Sequence, residues 1–329
     1  MKNLLLNISL LLRETISISL GLLLLLLLFS LIRLGNYIGD HSNISRLIVD
    51  EQIERAKTIH NTDLLLIGDS SCLMGIDAPL LSHLLNKKVE SLCTLGFVGP
   101  EGYSELLRKY FSRGMKSNRV ILVFHGIQMK RDSSWQQWVD YIKDYEFNQN
   151  SKSKLIHNPK NNILLLLNKF LFIPLHNKWG EYYGSDYSFS SFIRRHHGTA
   201  VDPNSPLNTY IPVGSAPKSE AYRYEVNQQY EDSLEPLEQV LLEYNMHDKT
   251  MLMISPIPSS LQREQTMITR KSAIERISKR LNISDTEIID LPSSLQARYF
   301  ATNTHLAENG RNYYTRLLAS YFHFHEVQN

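Results

Sequence analysis

The reactive side chains of this sequence stand just after its apolar runs. Ser70 follows the run Asp63 to Ile67 in Gly68-Asp69-Ser70. His305 follows the run Glu287 to Leu291, in Thr302-Asn303-Thr304-His305-Leu306. Between them, Gly99 closes Leu95-Gly96-Phe97-Val98-Gly99, and Gly126-Ile127-Gln128 follows Arg119 to Phe124. If these runs are parallel strands, the residues gather where open α/β sheets bind ligands, beyond the carboxyl ends of the strands. A serine hydroxyl is a poor nucleophile at its free pKa. It needs a base within hydrogen-bond reach, and the base needs an orienting partner. A serine and a histidine at two strand ends are the side chains such chemistry uses. Taken singly, each has a plainer use: Ser70 as a turn or helix cap, His305 as a partly buried structural histidine, Gly99 and Gly126 as strand-end turns.

Other candidates carry less. His196, His197, His323 and His325 have no carboxylate at a metal-site spacing, so neither a metal nor a cofactor is expected. Cys72 and Cys93 could pair in an oxidising compartment. The simpler expectation is two small buried hydrophobes on adjacent core elements. His125 ends the third apolar run and is expected to pack. Trp135, Trp138, Trp179 and the tyrosines within 182–187 suit equally a groove for a sugar polymer or the core of a cap.

The elements that must position these residues alternate in type. Asp63 to Ile67, Val89 to Leu95, Arg119 to Phe124, Thr250 to Ile254 and Glu287 to Leu291 read as five buried strands. Between them, Asp77 can cap a helix carrying Leu80, Leu81, Leu84 and Leu85. Pro100 opens another with Tyr103, Leu106, Leu107 and Tyr110, closed by Gly114. Met267, Ile274, Ile277 and Leu281 mark a third, and Tyr314, Leu317, Leu318 and Tyr321 the last. The pattern predicts an α/β fold with a mostly parallel sheet and helices on both faces. Regularity breaks at about 129–230, which reads as an inserted cap over the domain 62–329.

Thr15 to Ile32 is uncharged, and residues 15–34 read as a transmembrane helix of about 20 residues. Lys2 and Arg13 precede it, which puts residues 1–14 in the cytoplasm and the bulk of the chain outside. Leu34-Gly35-Asn36 is no signal-peptidase site, so the helix is expected to stay as an anchor. Residues 35–61 then form a juxtamembrane linker and an amphipathic helix. The 329-residue chain is 43% hydrophobic and 21% charged, with a formal net charge of +2. That balance supports a folded domain and excludes a nucleic-acid binder.

Together, Gly68-Asp69-Ser70, Gly99, Gly126-Ile127-Gln128 and His305-Leu306 resemble the signature of the SGNH (GDSL-type) hydrolases, over roughly residues 62–129 and 250–322. Gly68-Asp69-Ser70-x4-Gly75-Ile76-Asp77 and the single N-terminal span are most similar to a membrane-anchored branch of that class. This branch includes the alginate O-acetylation and teichoic acid D-alanylation proteins. The resemblance implies a flavodoxin-like three-layer α/β/α fold, with Ser70 as nucleophile and His305 as base. It implies an oxyanion hole from the Ser70 and Gly99 N–H groups and the Gln128 side-chain amide, a longer arm where the family has asparagine. Where the family has aspartate before the histidine, this sequence has Asn303 and Thr302. Asn303 can orient His305 but cannot stabilise an imidazolium as a carboxylate does. A serine–histidine dyad, or a carboxylate from the insertion with Asp132 among the candidates, could compensate. The function implied is an acyl transferase or esterase acting on O-acyl groups of a cell-envelope polysaccharide through an acyl-serine. Its domain would be periplasmic or extracellular, and a multispanning membrane acyltransferase would be its partner. The missing carboxylate motivates the alternative, a catalytically impaired scaffold or polymer-binding subunit.

Overall fold

Thr-Asp-Leu-Leu-Leu-Ile-Gly is apolar on both faces, as only a strand covered by helices on both sides can be. In the computed structural model it is β1 (Thr62–Gly68), central in a parallel sheet of order β2-β1-β3-β4. The structure describes residues 19–21, 44–126, 129, 135–145, 186–203, 205 and 223–328. From Ser45 onward these belong to one compact unit, Ser45–Gln149 with Lys178–Asn329.

The chain enters through α1, residues 44–58, which buries Ile48, Val49, Gln52, Ile53 and Ala56. After β1 come α2 (Ser70–Gly75), α3 (Ala78–Leu85) and β2 (Val89–Ser91). Next are α4 (Gly99–Phe111), β3 (Ser117–Phe124), α5 (Trp135–Lys143) and α6 (Asp186–Arg195). Then follow α7 (Gln228–Ser233), α8 (Glu235–Glu243), β4 (Thr250–Ile254) and the short β5 (Ile257–Pro258). The last are α9 (Glu264–Arg280), β6 (Ser294–Leu295) and α10 (Glu308–Gln328). Asp77 caps α3 as its position predicts, its carboxylate accepting the Leu80 N–H at 3.0 Å.

Side chains alternate across each strand. Leu65, Ile67, Val120, Leu122, Leu252 and Ile254 join one core with α1, α4, α8 and α9. Their neighbours Leu64, Leu66, Ile121, Val123, Met251 and Met253 are also buried, under the opposite layer. The observed fold is therefore α/β, a four-stranded parallel sheet with helices on both faces.

Three expectations change. The fifth strand shrinks to one parallel bridge, Leu252 to Ile288, because a 3₁₀ turn at Asp285–Glu287 takes up its start. Parts of the insertion are not a separate cap: Met129, Ile142, Tyr145, Tyr224, Val226 and Tyr230 lie in the main core. Cys72 and Cys93 are buried, as expected, but bonded to each other, with Cα atoms 5.7 Å apart. Closing a loop of 21 residues this way contributes about 3 kcal/mol in the chain-entropy account. It ties α2 to the exit of β2. The membrane span expected at 15–34 lies outside the described residues, except for 19–21, which are helical and exposed. Among the described residues, no helix is long and apolar enough to cross a membrane.

Candidate active site

β1 ends beside β3 with no room for a side chain. A Cβ on Gly68 would lie 1.9 Å from the Val123 carbonyl oxygen. Asp69 then turns the chain into α2. Its Oδ1 accepts the Ser71 N–H at 2.8 Å and the Ser71 hydroxyl at 2.6 Å. Its Oδ2 accepts the His125 N–H at 2.7 Å, across to the end of β3. One carboxylate thus caps the helix and joins two strand ends. Burial pushes the Asp69 carboxyl pKa up, against the opposing pull of these donors. Ser70 is the first residue of α2, where N–H groups lack an acceptor within the helix.

His305 arrives on a tight loop. Phe300 and Leu306 form an antiparallel bridge, and the His305 carbonyl accepts the Ala301 N–H at 3.0 Å. The Thr302 hydroxyl accepts the His305 N–H at 3.0 Å. Gly310 lets α10 close on this loop: a Cβ there would sit 2.0 Å from the Tyr299 carbonyl oxygen. The imidazole Nε2 meets Ser70 Oγ at 2.9 Å. Its Nδ1 meets Asp202 Oδ2 at 2.7 Å. The Asp202 carboxylate fixes the tautomer. Nδ1–H donates to it, and Nε2 is left to accept the Ser70 O–H.

Ser70 and Asp202 are 8% and 3% exposed, and the His305 side chain is 19% exposed. The row is thus mostly buried, and its most exposed member is the imidazole in the middle. His125 packs beside it, and burial, helped by the nearby His305, pushes its pKa down to about 3.

Asp202 is held by the segment after α6. His197 ties it to the sheet: its carbonyl accepts the Ser91 N–H at 2.9 Å, and its Nδ1 meets the Val89 carbonyl at 3.0 Å. The segment thereby lies along β2, the edge strand of the sheet. Gly198 fits there with φ +84°, where a Cβ would lie 2.0 Å from the Ser91 carbonyl oxygen. The Ala200 N–H donates to the Leu73 carbonyl on α2 at 2.8 Å. The Thr199 hydroxyl accepts from the buried Arg311 guanidinium of α10 at 2.8 Å. Arg311 also donates to the Ile76 carbonyl at 3.2 Å and pairs with Asp77 at 3.3 Å. Beyond Asp202, the Ser205 hydroxyl accepts the Glu308 N–H at 2.6 Å.

Of the residues expected to form the site, Ser70 and His305 are brought together. Asn303 is not: Asp202 takes the Nδ1 position, and Asn303 sits half-buried in the loop with no hydrogen bond to His305 among the described residues. Gly99 sits at the positive φ of 67° that a glycine allows, but its N–H donates to the Gly96 carbonyl rather than outward. Gln128 and Asp132 lie outside the described residues, as do Trp179, Tyr182 and Tyr183. His323 and His325 meet the Leu84 and Tyr321 carbonyls, and His196 stacks on Phe192. Among the described residues, no cluster could hold a metal ion. Asp202 had only a faint signal, an aspartate before Pro203 where the chain is biased to extended backbone.

No protein-family model matches this chain, and no curated protein matches it.

Proposed function

We propose that the chain is an SGNH-type serine acyl transferase or esterase working through an acyl–Ser70 intermediate. The observation that supports it is the continuous row from Ser70 Oγ through His305 to Asp202, at 2.9 and 2.7 Å. His305 Nε2 takes the Ser70 proton as Oγ bonds to the acyl carbon. The Asp202 carboxylate stabilises the imidazolium that results. The tetrahedral oxyanion is met by the Ser70 N–H, at the positive end of α2. When the C–O bond to the leaving alcohol breaks, His305 returns the proton to that oxygen. A second hydroxyl, from water or a sugar, then repeats the sequence against the acyl-serine. The SGNH resemblance extends the proposal to a cell-envelope polysaccharide as substrate. It also extends it to a membrane-anchored domain outside the cytoplasm and to a multispanning acyltransferase as partner. The scaffold alternative rested on the lack of a carboxylate for His305, and Asp202 removes that ground.

The test is covalent labelling of the full-length protein with a fluorophosphonate, read by intact mass. One adduct is expected on the wild type and none on Ser70→Ala or His305→Ala. A folded wild type that takes no adduct refutes an activated serine.

A further inference from the structure

The entry helix α1 carries a buried amide that touches the supports of both ends of the row. Gln52 is fully buried, and its Nε2 donates to the Cys93 carbonyl at 2.8 Å and to the Gly198 carbonyl at 2.8 Å. Two carbonyl acceptors use both amide hydrogens and fix which way the carboxamide points. Cys93 is bonded to Cys72, which lies in α2 just past Ser70. Gly198 opens the short stretch that ends at Asp202. One nitrogen thus joins the nucleophile's helix to the acid's segment, across separations of 41 and 146 residues. Its neighbours on α1 grip the same seam. Glu51 pairs with Arg194 of α6 at 2.7 Å. Arg55 pairs with Glu90 of β2, and a Cβ on Gly198 would lie 2.7 Å from the Arg55 Nε.

A buried carboxamide is an expensive way to fill a core, because each of its polar atoms must find a partner. The Gln52 Oε1 is buried with no hydrogen bond among the described residues, so the group is a poor choice for stability alone. What the amide supplies is direction. It holds two irregular backbone stretches at one separation, where an apolar side chain would let them slide. From Gly198 the position is passed on without slack, since Thr199 is tied to Arg311 and Ala200 to Leu73. We infer that Gln52 is a positioning residue of the row. It sets where Asp202 stands relative to the helix of Ser70, and its effect reaches the chemistry through the Asp202–His305 contact. This role rests on the acyl-transfer reading.

The experiment is a double-variant cycle on the full-length protein. The rate of fluorophosphonate labelling of Ser70 is read by intact mass and corrected for the folded fraction. Gln52→Met keeps the bulk and removes both donors. Labelling is expected to slow by about ten- to a hundredfold, the cost of displacing a catalytic group by about 1 Å. In Asp202→Asn, where the carboxylate is already gone, the same change should slow labelling by less than about twofold more. A residue that only stabilises would lower Tm and leave the folded protein's rate alone in both backgrounds. Gln52→Asn keeps the amide on a shorter arm, and it carries the same cycle if Q52M does not fold. An unchanged rate beside Asp202, or an equal loss in the two backgrounds, overturns the role. A folded wild type that takes no label overturns the acyl reading, and this role with it. A labelled wild type with unaffected Gln52 variants overturns the role alone.

Discussion

The two ends of the Ser70–His305–Asp202 row are built in opposite ways. The nucleophile end is local: Gly68, Asp69, Ser70 and Ser71 are consecutive, and Asp69 alone sets the helix cap and the tie to β3. The acid end is assembled from afar. Asp202 stands 103 residues before His305 in sequence and is held through β2, α2 and α10. The first can be encoded as a motif, because its contacts are set by neighbours in the chain. The second cannot, because its position is the sum of contacts to three elements that the sequence does not bring together. It follows that a change in the Asp202 segment should act on catalysis through geometry, and a change at the Ser70 turn through the turn itself.

The largest expected effect tests which residue is the orienter. Asp202→Asn keeps the shape but turns the acceptor into an amide, which favours the wrong imidazole tautomer. By analogy with the serine-protease aspartate, kcat should fall by about 10⁴, equivalent to about 5.5 kcal/mol. Asn303→Ala should stay within about twofold of wild type. Steady-state esterase kinetics on a small acyl ester would measure both. Equal losses in the two variants would return the orienting role to Asn303.

The second effect probes the nucleophile end through His125. Its folded pKa of about 3 lies below the ordinary histidine value of 6.5, so the folded state resists a proton that the unfolded chain accepts. Stability from this group is therefore fully present above pH 6.5. It declines as pH falls from there toward 3, by at most about 5 kcal/mol. Asp69 acts with the opposite sign, since its raised pKa makes the folded state the better proton binder as pH falls. Urea melts across this range should show a smaller acid loss in His125→Gln than in wild type. An unchanged slope would mean that His125 does not titrate as a buried group.

The same contrast explains what the sequence revealed. Four strands, the Asp77 cap and Ser70 with His305 were legible, because each rests on a run, a capping residue or a short motif. The fifth strand was not. Glu287 to Leu291 has the apolar pattern of a strand, but the turn at Asp285–Glu287 leaves only Ile288 paired in register. The disulfide was open either way, since two buried cysteines carry no mark of pairing until the fold sets their separation. Asp202 was hidden for a related reason: an irregular segment full of aromatics and prolines gives no period from which to tell that His197 and Gly198 lie against the edge strand β2.

The smallest expected effect sharpens the claim that distant contacts set the acid. Thr199 is fully buried and joins the segment to α10, accepting from Arg311 at 2.8 Å and donating to the His196 carbonyl at 2.7 Å. Thr199→Val keeps the volume and removes both bonds. Leaving an Arg311 donor without this acceptor should cost about 1–3 kcal/mol of stability. A residue that only stabilises would lower Tm and leave kcat alone in the folded fraction. A positioning residue should also lower kcat, by about ten- to a hundredfold, because a displacement of about 1 Å in a catalytic row costs that much. KM should hold, since Thr199 does not meet the substrate. Thr199→Ser restores the hydroxyl without the methyl, so it should recover most of kcat even if Tm stays low. Recovery of Tm without kcat would instead place Thr199 among the residues that hold the fold and do not aim Asp202.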